Sequence, residues 1–228
     1  MTTPLYPTYA RYDIAFVRGE GSYLFDADGR RYLDFATGIA VNALGHSHPR
    51  MVDALKSQAD KLWHVSNLYR IPEQERVAAK LTANSFADAV FFCNSGAEAV
   101  ETGLKTVRRY QHEVGNRQRW RIITVEGAFH GRTMATVTLT GQPKYHKGFE
   151  PMLPGIYYAD FDDLESVTAA LDAAGDTIGT ILIEPVQCEG GLRVPTPGFL
   201  PALRALCDER DLLLAYDEVQ TGVGRCAT

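Results

Sequence analysis

Four short motifs place carboxylates, a guanidinium, hydroxyls and an aromatic ring at the ends of apolar runs. Asn94-Ser95-Gly96-Ala97-Glu98 stands where an apolar run gives way to a helical pattern. A helix start carries unpaired N–H groups and the positive end of the helix dipole. Gly96 lets a backbone approach an anion and Ser95 adds a hydroxyl, so the segment can cradle a phosphate; a plain serine cap fits the same residues. Asp217-Glu218-Val219-Gln220 follows the apolar run 212–216. Ligands of open α/β sheets gather at the carboxyl ends of strands, and a carboxylate held there is costly unless a cation meets it. A protonated ring nitrogen of a cofactor is one such cation. A loop-capping Asp is the plain alternative, and an Asp on Mg²⁺ lacks the preceding glycine-rich loop ending in Gly-Lys-Ser/Thr.

The third motif, Gly127-Ala128-Phe129-His130-Gly131-Arg132-Thr133, follows the run 121–125. Phe129 or His130 can stack on a planar ring, and Arg132 can pair bidentately with a carboxylate; a loop with a solvated arginine fits equally. The fourth, Glu184-Pro185-Val186-Gln187-Cys188-Glu189-Gly190-Gly191, sets two carboxylates and an amide in a glycine-rich loop. Gly45-His46-Ser47-His48-Pro49 offers two alternate histidines. A metal site needs three or four ligands, so these read as loop-packing histidines.

The elements that must carry these motifs alternate. Residues 13–33 read as a hairpin, with Asp26-Ala27-Asp28-Gly29 turning between Tyr23-Leu24-Phe25 and Tyr32-Leu33-Asp34-Phe35. A glycine-rich loop over 38–45 follows, then helices over 49–63 and 72–83, each opened by a proline. From there short apolar runs predict strands at 89–93, 121–125, 180–184 and 212–216. Helical periodicity covers 98–112, 164–174 and 201–209. Alternating buried strands and helices imply an α/β fold with a mostly parallel sheet covered on both faces. Residues 1–48 form an N-terminal segment and 49–228 a partial large domain.

Composition narrows the class. The 228 residues carry 23 Lys and Arg against 28 Asp and Glu, a net charge of -5, which leaves no basic footprint for nucleic acid. No apolar run approaches the roughly 20 residues that span a bilayer, and the polar start is no secretory signal, so a cytoplasmic location is expected. The 4 cysteines are scattered, without metal-ligand or disulfide spacing. No Gly-x-Gly-x-x-Gly turn follows any strand, which argues against a dinucleotide oxidoreductase.

In their order along the chain the four motifs resemble the class III, fold-type I pyridoxal-phosphate aminotransferases, within them the acetylornithine type. The likeness runs from Tyr32-Leu33-Asp34-Phe35-Ala36-Thr37-Gly38-Ile39-Ala40-Val41 to Gly224-Arg225. It implies the large domain of that fold with pyridoxal 5'-phosphate as cofactor. By likeness Ser95, Gly96 and Ala97 bind its phosphate, Phe129 stacks on its ring with His130 beside it, and Glu184 lies under it. Asp217 pairs with the ring nitrogen and Gln220 stands near the ring hydroxyl. Arg132 grips the substrate α-carboxylate, and Glu189 governs which amino group or carboxylate is admitted. The reaction so implied moves an amino group between N2-acetylornithine and 2-oxoglutarate in arginine biosynthesis, in a homodimer. Succinyl-diaminopimelate, succinylornithine and ornithine are the alternative donors.

The likeness also has departures. Such enzymes anchor the cofactor on a lysine beyond the Asp217 strand, whereas the last lysine here is Lys147. That lysine, a partner-subunit threonine that reaches the phosphate and the C-terminal domain are all missing from these residues, so the isolated chain is expected to be inactive. A non-catalytic phosphate-binding or dimerising remnant is the competing reading. The tail Gly224-Arg225-Cys226-Ala227-Thr228 differs from the family's Gly-Arg-Thr-Gly. Cys188 stands where a glycine is usual, which would strain the loop if a left-handed backbone is required.

Overall fold

The computed structural model describes residues 4–226; Ala227 and Thr228, the end of the divergent tail, lie outside them. The chain divides into two compact units, Met1–Val90 and Phe91–Thr228. The boundary drawn between 48 and 49 marks a change of sequence pattern, while by contact the two proline-led helices fall with the hairpin.

In the first unit, β1 (Phe16–Glu20), β2 (Tyr23–Asp26) and β3 (Arg31–Leu33) form an antiparallel sheet in that order. The β2–β3 hairpin is the expected one. Its turn is held by Asp26, whose Oδ1 accepts from the N–H groups of Asp28 and Arg30 at 3.0 and 2.9 Å. Asp26 Oδ2 accepts from Tyr32 Oη at 2.9 Å. Strand β1 is an addition, because Arg18-Gly19-Glu20 breaks the apolar alternation by which strands are read. The glycine-rich loop contains a single turn, α1 (Thr37–Ala40), with Gly38 and Ile39 at positive φ. Helices α2 (Pro49–Ala59) and α3 (Pro72–Ala83) each start at their proline. Helix α2 stops short of residue 63 because side chains take over its last carbonyls: Trp63 Nε1 donates to Ala59 O at 2.8 Å.

The second unit is a four-stranded, all-parallel sheet. Its strands are β4 (Arg121–Val125), β5 (Ile156–Ala159), β6 (Ile178–Ile183) and β7 (Leu213–Tyr216), in the spatial order β5-β4-β6-β7. Parallel neighbours need crossovers, supplied by α5 (Met134–Leu139), α6 (Leu164–Ala174) and α7 (Phe199–Glu209), with α4 (Gly96–Glu113) preceding β4. Successive residues point to opposite faces and both faces are filled. Ile123, Val125, Ile181 and Ile183 meet Val167 and Leu171 of α6 and Phe199 and Leu203 of α7. Ile122 and Leu182 meet Val100 and Leu104 of α4 and Leu139 of α5. Burying each such side chain contributes on the order of 2 kcal/mol. This is the expected α/β architecture, with its carboxyl strand ends on one edge.

Three readings need correction. Residues 89–93 form no strand, and Phe91 is 67% exposed. An apolar run becomes a strand only where a neighbour completes its backbone hydrogen bonds, and no described strand pairs with it. The sequence pattern predicts neither strand β5 nor helix α5. Met134-Ala-Thr-Val-Thr-Leu is poor in helix formers, but Thr133 caps it in a reciprocal capping box with Thr136. Thr138 Oγ1 then donates back to Met134 O at 2.7 Å. Finally, Cys188 is not among the residues at positive φ, so the expected strain is absent there. Among the described residues no helix is long and apolar enough to cross a membrane.

Candidate active site

Asp217 sits one residue beyond β7, its N–H donating to Ile183 O at 2.9 Å and so extending the β6–β7 ladder. That register drives its carboxylate into the interior, where it is 8% exposed. Oδ1 accepts from Val219 N–H at 3.0 Å and Oδ2 from His130 Nδ1 at 2.7 Å. His130 is itself 2% exposed. Its Nε2 lies 3.3 Å from Thr124 Oγ1, a hydroxyl that also donates to Leu139 O at 3.1 Å. Its backbone N–H donates to Thr140 Oγ1 at 3.0 Å. The imidazole is thus clamped between β4, α5 and β7, and the Nδ1–H is committed to Asp217. A carboxylate has about four lone-pair sites, so Asp217 retains acceptor capacity.

Glu184 lies one residue beyond β6 and is 4% exposed. Its Oε2 accepts from Phe129 N–H at 3.0 Å, tying the β6 end to the β4 loop. Burial pushes this carboxyl up to about 7; the Phe129 N–H and the His130 charge pull it back, and the negative charge of Asp217 adds to the rise.

Phe129 carries its ring edge-on to Tyr145, centroids 6.0 Å apart. The Arg132 guanidinium lies over both rings, 4.3 Å from Tyr145 and 5.2 Å from Phe129. Among the described residues Arg132 makes no ion pair. Glu189 is held elsewhere: Gln142 Nε2 donates to its Oε2 at 2.5 Å, Tyr145 Oη to its Oε1, and Lys144 Nζ lies 3.6 Å away. Burial raises the Glu189 carboxyl, but the Tyr145, Gln142 and Lys144 donors outweigh this and hold it below the ordinary value. Gln187 is fully buried, donating to Glu126 O at 2.9 Å and accepting from Arg193. Only glycine fits beside it, since a Cβ on Gly190 would stand 2.2 Å from Gly127 O.

Ser95 caps α4. Its Oγ accepts from Glu98 N–H at 3.2 Å, while Glu98 Oε2 accepts from Asn94 N–H at 2.6 Å. The N–H groups of Gly96 and Ala97 have no protein acceptor among the described residues. This helix start reaches both other loops: a Cβ on Gly96 would stand 2.9 Å from Val219, and one on Gly131 2.9 Å from Ala97 Cβ. Gln220 lies half-buried in the turn after Asp217. A mostly apolar cavity of about 300 Å³ between α4 and the sheet shares Asp217 and Val219 with this rim.

The structure therefore gathers the four motifs at one edge of the sheet. It joins Asp217, His130, Glu184 and Phe129 by hydrogen bonds, and Arg132 to Phe129 by ring contact. In the first unit, His46 packs its own loop through Nε2 and Asp34 Oδ2 at 2.7 Å. Thr124, Gln142, Lys144 and Tyr145 join the site without belonging to any of the four motifs. No spacing rule links them to the motifs, and the 44 positions between Tyr145 and Glu189 leave no local signal.

The sequence profile of the family Aminotransferase class-III matches residues 7–228. Over 222 residues the chain is 56% identical to the acetylornithine aminotransferase of Agrobacterium fabrum, covering 97% of this chain and 55% of that protein. The crystal structure of N-acetylornithine aminotransferase from Stenotrophomonas maltophilia superposes with a TM-score of 0.80 at 39% identity, covering 95% of this chain and 54% of the other. The ornithine aminotransferase of Toxoplasma gondii superposes at 0.91 with 30% identity, covering 97% and 52%. The chain spans about half the length of the relatives it matches.

Proposed function

Starting from a chain that belongs to the class-III aminotransferase family, we propose that it is the cofactor-cradling portion of an acetylornithine aminotransferase. The reaction of the whole enzyme is amino transfer between N2-acetylornithine and 2-oxoglutarate. The observation that carries this reading is the buried Asp217 carboxylate, held on two sides by His130 and Val219 and keeping lone pairs to spare. Identity to acetylornithine aminotransferases over nearly all of this chain supports the substrate.

The residues present fit pyridoxal 5'-phosphate. The acceptor-less N–H groups of Gly96 and Ala97, with Ser95, suit a phosphate. Phe129 offers a ring face, Asp217 an anionic partner for a protonated ring nitrogen, and Gln220 an amide near the ring hydroxyl. When bound, the cofactor supplies an electron sink for the carbon that loses a proton. Asp217 keeps the ring nitrogen protonated, and His130 fixes the orientation of that carboxylate and keeps water from it. Glu184 locks the Phe129 backbone in place. Arg132 takes the α-carboxylate of the donor, and Glu189 governs which amino group or carboxylate is admitted. A homodimer is part of this proposal.

No lysine follows Lys147, and Lys144 is engaged by Glu189. The 228 residues alone therefore bind the cofactor without a covalent anchor and do not turn over. Titrating purified chain with pyridoxal phosphate should show saturable binding that Asp217→Ala weakens at least tenfold, with no chromophore that hydroxylamine removes from a lysine. Turnover of N2-acetylornithine with 2-oxoglutarate, together with a lysine-linked chromophore, overturns the inactivity. Equal binding by Asp217→Ala overturns the cradle.

A further inference from the structure

Glu189 and Arg132 carry opposite charges on adjoining loops, yet they do not pair. An exposed pair of this kind gains only about 1 kcal/mol or less, so donors that hold the carboxylate elsewhere decide whether the two meet. Both carboxylate oxygens of Glu189 are taken: Oε2 by Gln142 Nε2 at 2.5 Å and Oε1 by the Tyr145 hydroxyl, with Lys144 Nζ 3.6 Å from Oε1. Gln142 is anchored in turn, its Nε2 also reaching Gly127 O and Ala128 O at 3.3 and 3.1 Å. Tyr145 works on two sides at once. Its hydroxyl holds Glu189, while its ring face carries the Arg132 guanidinium at 4.3 Å and the Lys144 ammonium at 4.6 Å. The tyrosine stands as a divider, with the anion at its polar tip and the guanidinium on its face.

We propose that Gln142, Lys144 and Tyr145 form a clamp that keeps Glu189 off Arg132, so that this guanidinium stays open to an incoming carboxylate. The proposal rests on the reading of Arg132 as the carboxylate-binding residue. It makes Tyr145 and Gln142 positioning residues for substrate selection. Without them Glu189 turns to Arg132 and competes with any carboxylate-bearing substrate for the same five donors.

The test needs no turnover. Phenylglyoxal modifies exposed arginines, and peptide mass mapping of the full chain follows Arg132 alone. In the double variant Tyr145→Phe/Gln142→Ala the ring face persists but the donors to Glu189 are gone. Arg132 should then react about threefold more slowly, the protection expected of an exposed ion pair. Adding Glu189→Gln should restore the original rate. Lys144→Met, a surface change that leaves the fold intact, should slow Arg132 by a smaller factor. Unchanged Arg132 reactivity in the double variant and in Lys144→Met, or slowing that Glu189→Gln leaves in place, overturns the clamp. Protection of the unsubstituted chain by 2-oxoglutarate is read separately. Its absence refutes the substrate role of Arg132 even where the variants behave as the clamp requires.

Discussion

Replacing Glu184 by glutamine should flatten the dependence of stability on pH between 4.5 and about 7. Burial raises this carboxyl from 4.5 to about 7. A carboxyl raised in the folded state keeps its proton after the unfolded chain has lost it. Between pH 4.5 and about 7 the native state therefore binds the extra proton, and the free energy of unfolding falls as pH rises. At 1.36 kcal/mol per unit the total loss is about 3 kcal/mol, complete once pH exceeds the folded value. The other resolved shifts act outside this window. The carboxyls of Asp26, Asp34, Glu75, Asp176 and Glu189 are held low and lose their contribution only below 4.5. The Cys188, Cys207, Tyr158 and Tyr216 groups are raised from ordinary values of 9 or 10. Glu184→Gln keeps the side-chain length and an oxygen for the Phe129 N–H, but carries no charge at any pH. Urea unfolding of both chains, followed by circular dichroism from pH 4.5 to about 8, gives the difference directly. The variant should gain about 3 kcal/mol relative to the parent across that range. Parallel profiles would show that Glu184 titrates normally, through a water path or a partner that the burial argument omits.

Two further substitutions test the scaffold of the same rim. His130→Ala removes the Nδ1 donor 2.7 Å from a carboxylate that is 8% exposed. Stranding a buried charge in this way should cost about 3 kcal/mol in urea unfolding at neutral pH. Gly190→Ala forces a methyl to 2.2 Å from Gly127 O. Because the clash is with backbone, the two loops must part, at a cost of about 1–3 kcal/mol, read as a lower thermal midpoint.

What could be read without coordinates divides along a physical line. The Asn94–Glu98 helix start, the Gly127–Thr133 loop and the strand-end carboxylates are contiguous stretches, and their meaning depends on a local event, a strand or helix ending, which apolar pattern reports well. Asp217 was legible because the run before it is apolar from Leu212 to Tyr216. The same rule misled at 89–93, where an apolar run has no described strand to pair with, and its Phe91 ends up exposed. Helix α5 escaped because capping by Thr133 and back-bonding by Thr138, rather than propensity, hold it. The pairing of His130 with Asp217 spans 87 positions and that of Tyr145 with Glu189 spans 44. Such contacts follow from which strands neighbour which, here β4 lying beside β6 and β6 beside β7. Since β4 and β6 are adjacent, the loops leaving them must meet, and the only freedom left to selection is which side chains occupy the meeting point. Glutamine, lysine and tyrosine on the segment after α5, which a Glu126–Gly141 bridge sets beside the β4 end, face glutamate on the β6 loop and make that point a lock for an anion. The arginine next to it, stacked on the same tyrosine, is thereby spared from self-neutralisation. Charge separation of this kind needs two loops and one shared ring, so it is written in the topology and only completed by the residues.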